Sequence, residues 1–79
     1  MPSVKVYVTL KPTLLDAQGR VVQDALASLG YNAVKGVRIG KYIEMDVQAD
    51  GDVERQVKEM CDRLLANPVI EDYRFEVER

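Results

Sequence analysis

The side chains that carry most enzymatic chemistry are scarce in this sequence of 79 residues. It has no histidine, and so neither an imidazole base nor an imidazole metal ligand. A single cysteine, Cys61, cannot form an internal disulfide or a thiolate zinc site, and its place on an apolar helical stripe indicates a buried small hydrophobe. The two serines, Ser3 and Ser28, lie near no activating base in the sequence. Catalysis by this chain alone is therefore not expected.

Paired acids and phosphate-binding loops give no stronger indication of an active site. Glu71 and Asp72 are adjacent, but neighbouring residues of a strand point to opposite faces, so they do not form an acid/base pair. Neither GxGxxG nor GxxxxGK[ST] occurs in the sequence. We therefore predict no catalytic, cofactor-binding or metal-binding residues on this chain.

Net charge and hydropathy limit the kinds of partner that the protein is expected to have. The net charge is −2 and lysine and arginine do not cluster, so no nucleic-acid or anionic-membrane surface is expected. No apolar run approaches the roughly 18 residues that span a bilayer, and the start of the sequence lacks the apolar region of a signal peptide. We expect a cytoplasmic protein.

Polar side chains concentrate in two segments, Arg38–Tyr42 and Asn67–Arg74. Both contain a tyrosine and an arginine, the two residue types that are enriched where proteins bind one another. The competing interpretation is an ordinary solvated strand face, which composition alone favours. The choice between a binding surface and a solvated strand face depends on the strands and helices that position these two segments.

The first segment lies within Val37–Val47, where β-branched and largely apolar residues alternate with polar ones, as in a half-buried strand. A two-residue hairpin at Gly40-Lys41 is the competing interpretation. It would turn Glu44 and Asp46 towards the core, because every later residue would change sides. One long strand, continuous or bent at Gly40, is therefore predicted.

A strand of this length is longer than the body that should contain it. Its residues span roughly 36 Å, whereas a compact chain of this size has a radius of gyration near 12 Å and so a diameter of roughly 30 Å. Lys41, within the apolar row, indicates where the core ends. The projecting part should pair with a second copy, which predicts an obligate homodimer or higher homo-oligomer.

The remaining pattern predicts two more strands and two helices. Strands are predicted over Val4–Leu10 and Val69–Val77. The first helix follows the N-cap Asp16, ends at Gly30, and carries an apolar stripe that should pack on the sheet: Val21, Val22, Ala25, Leu26 and Leu29.

The second helix follows the turn Asp50-Gly51-Asp52, which contains its N-cap, and stops at Asn67-Pro68. The order is β-α-β-α-β with a long central strand. It predicts a single domain over residues 1–79, an α+β two-layer sandwich with both helices on one face of a small sheet, ferredoxin-like in style.

Four segments together resemble the PurS family, the small subunit of phosphoribosylformylglycinamidine synthase. They are VYVTLKP, LDAQGRVVQDALASLGY, VRIGKYIEM and VKEMCDRLLANPVIEDYRFEV, and the similarity runs from about Val4 to Val77. VRIGKYIE and LLANPVIEDYRFEV are long and specific. Ala17 departs from the proline that the family often has after the capping aspartate, which affects only the stiffness of the helix entry.

The resemblance implies a non-catalytic role in a ligase of de novo purine synthesis. In that family a glutaminase subunit releases ammonia, and a large synthetase subunit, which carries the ATP, magnesium and substrate sites, uses it to form the amidine. The small subunit is a dimer that bridges the two and helps ammonia pass. By this resemblance the docking residues in this chain would be Arg38, Lys41, Tyr42, Asn67, Glu71, Asp72, Tyr73 and Arg74.

Two other functions remain open at the level of sequence. One is a stand-alone ligand-sensing regulatory module of small α+β type, which would bind an amino acid or nucleotide at a dimer interface. Another is a small phosphatase-like enzyme on a similar fold, for which the sequence has no motif.

Overall fold

The computed structural model describes residues 2–48 and 51–78. Its elements are β1 (Ser3–Leu10), α1 (Ala17–Ser28), β2 (Gly40–Asp46), α2 (Val53–Met60) and β3 (Glu71–Glu78). A π-helical turn, Cys61–Leu65, continues α2. The α+β class and the β-α-β-α-β order are confirmed. None of the helices in this described part is long and apolar enough to cross a membrane.

The three strands form one antiparallel sheet in the order β2-β1-β3, so that β1 is central. β2 pairs with β1 without interruption from Gly40 to Asp46, which excludes the hairpin at Gly40-Lys41. The ladder is shorter than the predicted strand, because residues 37–39 and Val47 lie outside it. Gly40 is needed where the two strands meet, since any side chain there would clash with the Val8 carbonyl oxygen.

The core lies between one face of the sheet and α2. Val4, Val6 and Val8 of β1 are covered by a helical layer whose buried side chains include Val57 and Cys61. Cys61 is therefore a buried core residue, as predicted, and burial raises the pKa of its thiol. At the start of α2, the Asp52 carboxylate accepts a hydrogen bond from the Arg55 amide and confirms the predicted N-cap. Asp50, predicted in the same turn, lies outside the described residues.

The last strand begins two residues later than predicted. The Asn67 carbonyl accepts hydrogen bonds from the amides of Ile70 and Glu71, at 3.1 and 2.7 Å, and these bonds close a turn. Val69 and Ile70 therefore lie in that turn, and the pairing of β3 with β1 starts only at Glu71.

Helix α1 has the predicted ends but not the expected packing. Asp16 caps it by accepting a hydrogen bond from the Gly19 amide at 2.9 Å, and Gly30 follows it with a φ of 98°, the left-handed conformation expected there. Gly19 is its one buried residue. Val21 and Leu29 of the apolar stripe are 68% and 74% exposed, so the stripe does not pack on the sheet of its own chain.

The reason is a joint that fixes the start of α1 to residues 37–39, which we call the Asp16–Arg38 joint. The Asp16 carboxylate accepts a second hydrogen bond from the Ile39 amide at 2.6 Å. The Arg38 guanidinium donates to the carbonyls of Leu10 and Lys11 at 2.7 and 3.0 Å. A side chain at Gly19 would clash with the Val37 carbonyl oxygen, so glycine permits the close approach.

The shape of the molecule follows from this joint. The Cα atoms span 50 × 25 × 14 Å and have a radius of gyration of 16.0 Å. A compact chain of this length would have a radius of gyration near 12 Å. α1 thus extends away from the body formed by the sheet and α2.

Candidate docking surface

The face of the sheet opposite α2 carries most of the polar strand residues, and we call it the open face. Alternation along each strand places every second side chain there. The set comprises Ser3, Lys5, Tyr7 and Thr9 of β1; Gly40, Tyr42, Glu44 and Asp46 of β2; and Asp72, Arg74, Glu76 and Glu78 of β3.

Three of these side chains form a layer across the middle of the sheet, the Tyr–Arg stack. The register sets Tyr7 opposite Tyr42 on one side and Arg74 on the other. The two tyrosine rings are 5.2 Å apart between centroids and tilted by 36°. The Arg74 guanidinium carbon lies 4.0 Å from the centroid of the Tyr7 ring, within the range of a cation–π contact. Tyr42 remains 51% exposed, so the stack leaves aromatic surface uncovered.

Polar contacts along the strands hold the stack in place. The Tyr42 hydroxyl donates to Glu44 Oε1 at 2.7 Å, and this hydrogen bond is the main reason why the pKa of Tyr42 is raised. Arg74 pairs with Glu76 at 3.0 Å. Lys5 pairs with Glu78 at 3.1 Å, which raises the pKa of Lys5.

The open face as a whole is acidic. Among its described residues, the cations Lys5 and Arg74 stand against five acidic side chains, which gives a net charge of −3. The acids are Glu44, Asp46, Asp72, Glu76 and Glu78. Two such faces would repel each other, whereas a surface with lysine or arginine around an apolar centre would complement this one.

Of the eight residues predicted to dock, the sheet brings Tyr42, Asp72 and Arg74 together on the open face. Two others support the fold near the projecting segment. Arg38 belongs to the Asp16–Arg38 joint, where its guanidinium is held by backbone carbonyls. Lys41 donates to the Leu65 carbonyl at 3.0 Å, at the end of the helical layer.

The remaining three predicted residues form the turn before β3 and its contact with the helical layer. Glu71 Oε1 accepts a hydrogen bond from the Asn67 amide at 2.7 Å, and Asn67 Oδ1 accepts one from the Val69 amide at 3.1 Å. The Tyr73 hydroxyl donates to Asp62 at 2.8 Å, which lowers the pKa of Asp62 and raises that of Tyr73. Each of these three side chains has a clear structural role.

Sequence reasoning missed Tyr7, the centre of the Tyr–Arg stack. Its alternation with Val6 and Val8 marks it as solvent-facing, but this signal does not show which residues lie beside it. Its neighbours Tyr42 and Arg74 come from positions far along the chain, and only strand pairing brings them together.

A cleft of about 500 Å³ lies at the end of the sheet near the joint. Its charged side chains already bind the backbone: Asp16 the Gly19 and Ile39 amides, Lys41 the Leu65 carbonyl and Glu71 the Asn67 amide. Within residues 2–48 and 51–78, no group of three or more Cys, Asp or Glu side chains is arranged to hold a metal ion. The cleft therefore adds no specific support for a ligand-sensing site.

Comparisons with known proteins agree with a subunit that docks. The family model of PurS, described as phosphoribosylformylglycinamidine (FGAM) synthase, matches residues 3–79. The PurS subunit of phosphoribosylformylglycinamidine synthase from Bacillus subtilis is 60% identical over 79 residues, which cover 99% of this chain and 94% of the relative.

Solved structures show the same fold. Bacillus subtilis PurS has a TM-score of 0.95 at 57% identity, with full coverage of both chains. PurS of Methanocaldococcus jannaschii, a subunit of formylglycinamide ribonucleotide amidotransferase in the purine biosynthetic pathway, has a TM-score of 0.90 at 42% identity, covering 100% of this chain and 98% of that one. A chain of PurLQS from Thermotoga maritima has a TM-score of 0.75 at 28% identity, covering 99% and 100%. This chain therefore belongs to the PurS family, whose members are subunits of phosphoribosylformylglycinamidine synthase in purine biosynthesis.

Proposed function

We propose that this chain is a non-catalytic small subunit that bridges the glutaminase and ATP-dependent synthetase subunits of phosphoribosylformylglycinamidine synthase. In this role it assists the transfer of ammonia from one active site to the other. ATP and magnesium bind on the large synthetase subunit. The complex works in the cytoplasm.

The observation that carries the docking role is the Tyr–Arg stack on the open face. Tyrosine and arginine at the centre of a surface are the types that most often dominate binding energy. The acidic side chains around the stack favour a basic partner surface, and so a subunit other than a second copy of this chain.

Docking matters for ammonia transfer because ammonia is protonated or lost once it reaches bulk water. A bridging subunit that excludes water between two partners keeps the route closed. This role requires surfaces that complement and bind the two partners rather than catalytic side chains, which fits a chain without histidine.

The chain also self-associates, as a homodimer or a higher homo-oligomer. Support comes from its elongated shape and from the free outer edge of β2, which in the described residues pairs only with β1. The unpaired backbone groups of an edge strand can form hydrogen bonds with a strand of another chain.

Reconstitution tests the proposal. The purified chain should hydrolyse neither glutamine nor ATP, but its addition to the two larger subunits should raise glutamine-dependent amidation. Amidation by the large subunit with free ammonia should depend on it much less, because no transfer between sites is needed. Glutaminase or ATPase activity of the chain by itself, or an equal effect on both reactions, would contradict the bridging role.

A further inference from the structure

We propose that a recess beside the Tyr–Arg stack binds one cationic side chain, a lysine or an arginine, of a larger subunit. We call it the Asp72 notch, and its borders include Tyr7, Thr9, Asp72 and Arg74. This inference rests on the docking role proposed above and names the chemistry of the partner at one position of the open face.

The register of the sheet creates the notch. The layer of side chains next to the Tyr–Arg stack consists of Thr9, with Gly40 on one side and Asp72 on the other. Because glycine has no side chain and the other two are short, the surface of the sheet is lower there than at the stack. The recess has a volume of about 170 Å³. Since a water molecule occupies about 30 Å³ in the liquid, this is room for the end of one long side chain.

Asp72 carries a charge that its own chain leaves unpaired. Among the described residues, its carboxylate forms neither a hydrogen bond nor an ion pair. Arg74, two residues further along the same face of β3, pairs with Glu76 at 3.0 Å and lies against the Tyr7 ring. A cation that enters the notch therefore meets a free carboxylate, whereas an anion is repelled by it and finds the nearby guanidinium already paired.

The other groups of the notch suit the same occupant. The Thr9 hydroxyl, which has no hydrogen-bond partner within residues 2–48 and 51–78, can accept a hydrogen bond from an ammonium or guanidinium group. The Tyr7 ring offers apolar surface to the methylene stem of a lysine or arginine. When a partner covers the notch, the Asp72 carboxylate loses water, and an unpaired buried charge is costly. A cationic side chain removes this cost, which a neutral polar side chain does not.

A matched pair of variants tests the notch. Asp72→Asn and Asp46→Asn each remove one negative charge from an exposed side chain of the open face, with little change of shape. Asp46 is a suitable control because its carboxylate also lacks a partner among the described residues. It lies opposite Ser3, whereas Asp72 lies opposite Thr9, about 20 Å further along β1. Both variants should keep the melting curve of the unmodified chain, as exposed substitutions usually do.

The measurement follows binding and release of the two larger subunits, supplied together in solution, on the immobilised chain. Asp72→Asn should raise the dissociation constant by at least about tenfold, mainly through faster release, because it removes one partner of a covered charge pair. Asp46→Asn should change the dissociation constant by less than about twofold, and only through the association rate. Asp72→Glu keeps the charge and should bind more tightly than Asp72→Asn.

The outcomes separate the notch from the docking role on which it rests. Equal dissociation constants of Asp72→Asn and Asp46→Asn would overturn the notch, because the acidic side chains would then act only through their summed charge. If Arg74→Ala weakens binding in the same assay and Asp72→Asn does not, docking on the open face stands and the notch is wrong. If none of the three variants weakens binding, the docking surface lies elsewhere and both proposals are wrong.

Discussion

Replacing Arg74 by alanine should separate docking from folding. The change removes the cation that lies 4.0 Å from the Tyr7 ring centroid and the ion pair with Glu76. Exposed cation–π contacts contribute about 0.5–1 kcal/mol and exposed ion pairs about 0–1 kcal/mol. The side chains of Arg74 and Glu76 are 66% and 49% exposed, so the lower ends of these ranges apply. We expect the free energy of unfolding to fall by about 0.5 kcal/mol, which lowers the melting temperature by about 2–4 °C in a domain of this size.

The effect on assembly should be larger. Truncation of an arginine at the centre of an interface typically costs about 2 kcal/mol or more of binding free energy. That corresponds to a dissociation constant raised by roughly thirtyfold. Thermal melts of the isolated chain and titration of the two larger subunits, followed by gel filtration and calorimetry, measure the two effects separately.

Two further variants serve as controls. Arg74→Lys keeps the charge but loses the planar guanidinium that stacks on the ring, so its loss of affinity should be intermediate. Arg55→Ala removes an arginine from α2, on the other layer of the molecule, and should leave assembly unchanged. If Arg74→Ala assembles as tightly as Arg55→Ala, the open face is not the docking surface.

Two other predictions concern the fold that carries this surface. Val57→Ala should lower the free energy of unfolding by about 2–3 kcal/mol in a thermal melt, because Val57 is fully buried. Val69→Ala, at a side chain that is 77% exposed, should change it by less than about 0.5 kcal/mol. Similar losses in the two variants would contradict the assigned core. Hydrogen bonds from the Ile39 and Gly19 amides hold the pKa of Asp16 below its ordinary value of 3.8. The ionised carboxylate therefore stabilises the fold above pH 3.8, and this stabilisation is lost as the pH falls through the lower pKa of the folded state. Between pH 7 and pH 3 the melting temperature of the unmodified chain should therefore fall further than that of Asp16→Asn, and parallel curves would contradict the role of Asp16 in the joint.

Local patterns in the sequence determined much of the architecture. Period-2 alternation predicted three strands, and helical spacing with capping residues predicted two helices in the observed order. Asp16 as an N-cap, an N-cap within the turn Asp50-Gly51-Asp52, which is Asp52, and Gly30 as the left-handed residue after α1 were confirmed. Each depends on a few neighbouring backbone groups. The absence of histidine and the burial of Cys61 likewise follow from composition and a single helical stripe.

The tertiary structure alone decided which of these elements meet. The apolar stripe of α1 indicates that the helix packs against another surface, but the pattern does not identify that surface. The Asp16–Arg38 joint directs α1 away from the sheet of its own chain. The guanidinium of Arg38, a predicted docking residue, binds carbonyls 27 and 28 positions earlier in the chain, which the sequence did not indicate. Tyr7 became the centre of the candidate site only when β1 paired with β2 and β3. In each case the deciding contact joins residues far apart in the chain, and local propensity carries no information about such pairs.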